Sequence, residues 1–273
     1  MKKYLNVLKK LYKIFCFILI PLANIGQEKV EYELLNQFDY KGNYVLVDNL
    51  GFYSVVGDYE FNRCQLDPPL EFQYSDKSLS SVTSIDLTNP LKILVFYKDL
   101  SKIVLVDNTL SRYSNDIYLD DYDLGQCILV CTSFNNGIWL YDQLTFQLVR
   151  LDQNLKNVTE TSNIVQLIGH DIAPNFMIED SDWLYINDPE NGILVFDIYG
   201  SYFKTIPIKG LSTFQIKDHN IIYMMEQKLY MYHQKTLETT EIKLPDVDFK
   251  SLQIAGNKLF LLGEKSLSIY SLK

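Results

Sequence analysis

Trp183-Leu-Tyr-Ile-Asn-Asp-Pro-Glu-Asn-Gly-Ile-Leu-Val-Phe-Asp-Ile-Tyr-Gly-Ser-Tyr-Phe-Lys-Thr-Ile-Pro-Ile208 reads as strand, turn, strand, turn, strand. Asp188-Pro-Glu-Asn-Gly192 carries the first turn, because Pro fixes φ and Gly accepts positive φ. Ile193 to Asp197 is nearly all apolar, the pattern of a strand covered on both faces. The same phrase recurs along the chain. Lys92-Ile-Leu-Val-Phe-Tyr97 turns at Asp99-Leu-Ser101 into Lys102-Ile-Val-Leu-Val-Asp107. Gly137-Ile-Trp-Leu-Tyr-Asp142 is followed by Gln147-Leu-Val-Arg-Leu-Asp152. Ile221 to Met225, Lys228 to Tyr232 and Thr239 to Leu244 form another copy, and Lys258 to Leu262 with Ser266 to Tyr270 the last.

Equivalent strands lie roughly 40 residues apart, the blade size of propellers. Four strands per blade then predicts an all-β propeller of about six blades. The last blade lacks an outer strand, and Val30-Glu-Tyr-Glu-Leu-Leu35 at the other end of the chain is placed to supply it. Such closure hides an edge otherwise free to aggregate. The first half is the least regular, so five or seven blades also fit, as does a stacked sandwich. No segment after residue 28 carries a helical period.

Composition points the same way. The chain is 14% aromatic, with 20 Tyr and 15 Phe, residues that suit a pleated sheet. Ala, the best helix former, occurs only at Ala23, Ala173 and Ala255. Charge is uneven. Residues 1–26 hold five Lys and no acid, so the net charge of -9 becomes -14 without them, 20 basic against 34 acidic residues. That balance disfavours nucleic acid and anionic lipid surfaces as partners.

The basic start, Met1 to Lys13, runs into Ile14-Phe-Cys-Phe-Ile-Leu-Ile-Pro-Leu-Ala23. This reads as a signal peptide over residues 1–26, cut after Gly26, followed by one domain over residues 27–273. Asn24 is a poor cleavage-site residue, which leaves an uncleaved anchor as the competing reading. Cys64, Cys127 and Cys131 remain after cleavage, an odd number. Cys127 and Cys131 lie four residues apart in a strand-like run, too far for a disulfide. Both read as small buried hydrophobes, and a bridge from Cys64 to one of them stays open.

Gly192-Ile-Leu-Val-Phe-Asp-Ile-Tyr-Gly200 resembles the inner part of NHL-type and quinoprotein-type propeller blades, where an apolar strand ends in Asp and a turn. Ile85 to Tyr97, and Pro174 to Ile178 running on to Trp183-Leu-Tyr185, resemble exported propellers of Bacteroidetes. That resemblance implies a protein-binding role in the cell envelope and no transferable site. The Trp docking motifs of quinone-cofactor propellers are missing, with only Trp139 and Trp183 present.

No residue pattern nominates a catalytic, cofactor-binding or metal-ligating residue, and no cofactor is expected. His170, His219 and His233 show no metal spacing, and each reads as a loop or strand-end residue. The acidic run Asp116 to Asp123 ahead of Gly125 lacks the order of a calcium loop and reads as a solvated loop. Trp139 and Trp183 read as inter-blade packing, and Met224, Met225 and Met231 as core. Asp48, Asp107, Asp142 and Asp197 end strands and are expected to accept turn N–H groups.

The expected function is a non-enzymatic binding or scaffold protein of the envelope, exported and periplasmic. Its expected partner is an outer-membrane protein complex, such as an assembly or secretion machine. The alternative is an enzyme or binder for a sugar or lactone at the central channel.

Overall fold

The computed structural model describes residues 32–272. They form six four-stranded antiparallel sheets arranged as a ring. Blade 1 holds β2 (Tyr44–Val47), β3 (Tyr53–Val56), β4 (Glu60–Gln65) and β5 (Leu70–Ser75). Blade 2 holds β6 (Ser84–Asp86), β7 (Ile93–Tyr97), β8 (Lys102–Val106) and β9 (Ile117–Tyr118). Blade 3 holds β10 (Cys127–Ser133), β11 (Gly137–Asp142), β12 (Gln147–Leu151) and β13 (Asn157–Glu160). In blade 4 they are β14 (Phe176–Asp180), β15 (Trp183–Asp188), β16 (Gly192–Asp197) and β17 (Tyr202–Ile206). In blade 5 they are β18 (Phe214–Lys217), β19 (Asn220–Met225), β20 (Lys228–His233) and β21 (Glu238–Ile242). Blade 6 takes β22 (Ser251–Ala255), β23 (Lys258–Leu262) and β24 (Ser266–Leu272) from the C-terminal end and β1 (Tyr32–Asp39) from the N-terminal end.

The closure expected from the sequence is therefore present, and β1 is longer than the run that suggested it. It pairs with β24 from Tyr32–Leu272 to Asp39–Ser266, with one bulge between Leu34 and Asn36. The expected signal peptide and its cleavage site lie outside the described residues.

Why the apolar runs form a ring and not a sandwich is visible in the core. Buried side chains fall into six clusters, and each cluster joins two neighbouring blades. Successive side chains of a strand point to opposite faces, so one strand feeds two wedges. In β16, Leu194 and Phe196 pack toward blade 3, while Ile193 and Val195 pack toward blade 5. In β7, Leu94 and Phe96 face blade 3, and Ile93, Val95 and Tyr97 face blade 1. The wedge of Val45, Tyr53, Phe260 and Ile269 joins blade 6 to blade 1 and completes the ring. Each fully buried large side chain contributes roughly 1.5–3 kcal/mol, so a middle strand with an alternating pattern would forfeit one of its two interfaces.

One α-helix and three short 3-10 turns among the described residues escaped the sequence reading. α1 (Ile164–Ile168) lies between blades 3 and 4, capped by Asn163, whose side chain accepts from Gln166 N, and ended by Gly169 at φ 81°. A helix of five residues shows no period, so capping residues are its only sequence trace.

Candidate functional site

Antiparallel pairing puts the first and third turns of every blade at one end of its sheet, and such turns build an aromatic cleft between two blades. The cleft lies between blades 4 and 5, holds about 490 Å³, and is lined by Trp183, Tyr185, His219, His233 and Gln234 among others. The volume suits a small ligand or a single anchoring side chain.

Each lining group has a local cause. Asp218 and His219 are the two central residues of the hairpin joining β18 to β19, with φ of 49° and 62°. A two-residue hairpin needs positive φ at both positions, and Asp and His tolerate it better than most side chains. Gln234, just past β20, ties the walls together: its Nε2 donates to Tyr185 Oη at 3.1 Å and to the His219 carbonyl at 2.8 Å. Burial raises the Tyr185 hydroxyl above its ordinary value, and the Gln234 hydrogen bond partly offsets this. His233 Nε2 lies 3.3 Å from Thr240 Oγ1. Trp183 is half-buried, with its ring 4.8 Å from that of Phe203. The third turn of blade 5 lines the cleft with Lys235 and Thr236 and continues into Leu237, 66% exposed, while Phe203 on β17, packed on the Trp183 ring, is 59% exposed.

Two of the three histidines thus share one cleft, which their separate places in the sequence did not suggest. His170 is exposed beyond α1, with Nδ1 3.2 Å from the Asp171 carbonyl. Trp139 is wholly buried in the wedge between blades 3 and 4, as expected. Trp183 is only partly so, because its ring sits at the rim. Met224, Met225 and Met231 are half-buried against the wedges on either side of blade 5.

The acidic run divides. Asp116 turns inward to Lys102 at 2.6 Å and to Arg112, whereas Asp120, Asp121 and Asp123 are exposed. Burial raises Asp116, but hydrogen bonds from Lys102 and Arg112 outweigh it and hold the carboxyl below its ordinary value. No group of three or more His, Cys, Asp or Glu able to hold a metal occurs among the described residues. Cys64, Cys127 and Cys131 are all buried and free. Desolvation pushes the Cys127 thiol up to about 12 and Cys131 well up, which makes both inert as nucleophiles.

No family model matches the chain, and no curated protein matches it by sequence. Solved structures do match. Virginiamycin B lyase from Staphylococcus aureus superposes with a TM-score of 0.64 at 13% identity, covering 89% of this chain and 100% of the lyase. The WD40 domain of Neurospora crassa Pan2 superposes at 0.59 and 7% identity, covering 88% of this chain and 95% of that domain. PorZ, a surface component of the type-IX secretion system of Porphyromonas gingivalis, superposes at 0.54 and 12% identity, covering 89% of this chain but 39% of PorZ. An enzyme, a WD40 domain and a secretion component share this backbone, so the likeness carries fold and not activity: the chain is a six-bladed β-propeller.

Proposed function

We propose that this propeller is a protein-binding scaffold of the cell envelope, exported by residues 1–26, which docks a partner on the side of blades 4 and 5 that carries the aromatic cleft. The observation behind this reading is a cleft walled by half-buried Trp183, with exposed Phe203 packed on that ring and exposed Leu237 next to the lining Thr236. Aromatic anchors beside a pocket and rimmed by polar groups are the usual centre of a protein interface. PorZ supports an envelope complex as the setting, since it is a Bacteroidetes surface component with this fold. An outer-membrane assembly or secretion machine fits that setting.

Crosslinking in the native envelope, followed by capture through a C-terminal tag, tests the reading. A stoichiometric envelope protein is expected with the wild type and is expected to fall at least about tenfold, roughly 1.4 kcal/mol, with Phe203→Asp. Phe203 is exposed, so this substitution costs about 0.5–1.5 kcal/mol through its ring contact with Trp183 and the fold is retained. Equal capture by both forms removes this face from the interface. Recovery of the chain alone favours a second reading, a small-molecule binder, for which Trp183, His219 and His233 in one cleft are the supporting observation.

A further inference from the structure

A second pocket, of about 420 Å³, opens at the first and third turns of blade 3 and is lined by Phe134, Asn135, Asn136, Arg150, Asp152 and Gln153. Arg150 is only 7% exposed, and its guanidinium stacks on Phe134 at 3.6 Å. Nε donates to Ser133 Oγ at 2.8 Å, and Nη2 to the Phe134 carbonyl at 2.7 Å. Ser133 in turn donates to Glu179 Oε2 at 2.7 Å. That carboxylate also accepts from Phe134 N and Trp139 Nε1, both at 2.7 Å. Burial raises Glu179 despite these bonds, and desolvation lowers Arg150. Gly137 is required for the arrangement: a Cβ there would lie 2.6 Å from the Leu151 carbonyl and 3.1 Å from Arg150 Nη2.

Blade 1 contains the same device in completed form. Arg63, also in the later half of the third strand, stacks on Phe52 at 3.8 Å. Its Nε and Nη2 meet Asp48 Oδ2 at 3.1 and 2.6 Å, and its Nη1 donates to the Asn108 carbonyl of the next blade at 2.8 Å. In blade 3 the neutral Ser133 hydroxyl stands where blade 1 has the Asp48 carboxylate, and the bonds of Arg150 to Ser133 and Phe134 use Nε and Nη2, so that among the described residues Nη1 has no hydrogen-bond partner although Arg150 lines the pocket. An immobilised guanidinium edge with exposed amide side chains beside it is shaped for a planar anion.

We infer that this pocket binds a small-molecule carboxylate on Arg150, through Nη1 and the Nη2 hydrogen that the Phe134 carbonyl leaves over. A monoanion is favoured over a phosphate dianion because Asp152 lines the same pocket and the chain carries a net charge of -9. The site is separate from the cleft of blades 4 and 5 and stands whether or not that face docks a protein.

Nature supplies a reporter. The chain has two indoles, of which Trp139 is hydrogen-bonded into the Arg150–Ser133–Glu179 network and Trp183 is not. Titration of the ¹⁵N-labelled protein with millimolar N-acetylglycine is expected to shift the Trp139 indole resonance saturably and leave that of Trp183 in place. N-acetylglycinamide, the uncharged control, is expected to shift neither. Arg150→Lys is expected to abolish the response. Because that change touches a buried group, Asn135→Asp is the second variant: residue 135 is exposed, the fold is retained, and the added charge is expected to abolish binding. No saturable Trp139 shift, an equal shift with the amide, or undiminished binding by folded Asn135→Asp would overturn the site. An equal response to inorganic phosphate at matched ionic strength would overturn its assignment to a carboxylate.

Discussion

Glu179 shows how tightly single residues are specified at a blade seam. Both its oxygens accept: Oε2 from Ser133 and Trp139, Oε1 from the backbone of Phe134. Glu179→Gln places an amide NH₂ on one of these positions, and whichever way the amide flips, a donor faces a donor. The expected loss is about 1–3 kcal/mol in urea denaturation. Unchanged stability would mean that the native carboxyl is held protonated. Asp116 yields a pH prediction. Its folded-state pKa is depressed, so its stabilisation is complete above the ordinary value of 3.8 and is lost as pH falls through the lower folded value. Asp116→Asn is expected to cost about 1–2 kcal/mol at neutral pH, given a partner, Arg112, that is largely exposed. The gap in melting temperature from wild type is expected to close in acid below that value; a gap that persists there would show that the cost is packing and not charge.

At the scale of elements, one hairpin repeats. Asp107, Asp152 and Asp197 open the third turns of blades 2, 3 and 4, each 45 residues after the last. Each Oδ1 accepts the backbone N–H two and four residues on. The fourth residue of the loop is left-handed in all three: Leu110 at φ 61°, Leu155 at 61° and Gly200 at 84°. At Gly200 the backbone also passes close to blade 3, and a Cβ would lie 2.8 Å from Thr161 Cγ2. Gly200→Ala is therefore expected to destabilise by about 1–3 kcal/mol, read in thermal unfolding. No measurable loss would mean that the turn relaxes freely.

These turns also separate what was legible in the sequence from what was not. Asp48, Asp107, Asp142 and Asp197 were readable because an apolar run ending in Asp leaves a carboxylate beside free turn N–H groups. Asp152 does the same job, but the preceding Arg150 blurs the apolar run. The middle strands were readable because burial on both faces demands unbroken Ile, Leu, Val and Phe. The candidate sites were not, because their chemistry is assembled across blades: Gln234 meets Tyr185, and Arg150 meets Glu179 through Ser133, at separations no periodicity records. Left-handed Leu110 and Leu155 were equally hidden, since Leu is a poor advertisement for positive φ.

Across the whole molecule, stability depends on a ring with no seam, and the chain closes that ring with its first described strand. β1 contributes few buried side chains, yet it covers the edge of β24 along its length. Blade 6 without it would present the unpaired N–H and C=O groups of Ser266 to Leu272, a template for another chain. Phe38 would also leave the wedge that joins blade 6 to blade 1, together with its stacking on Tyr53 at 6.2 Å. Deletion of Tyr32 to Asp39 is thus expected to turn a monomer into oligomers or aggregates in light scattering and to lower the denaturation midpoint. A synthetic peptide spanning those eight residues is expected to restore the monomer by adding itself as the missing strand. Its scrambled counterpart, with the same composition but apolar residues moved to the opposite face, is expected to fail, because a one-residue slip puts Phe38 in solvent. If the deleted form stays monomeric with an unchanged midpoint, the wedges alone hold the ring and the terminal strand is dispensable cover.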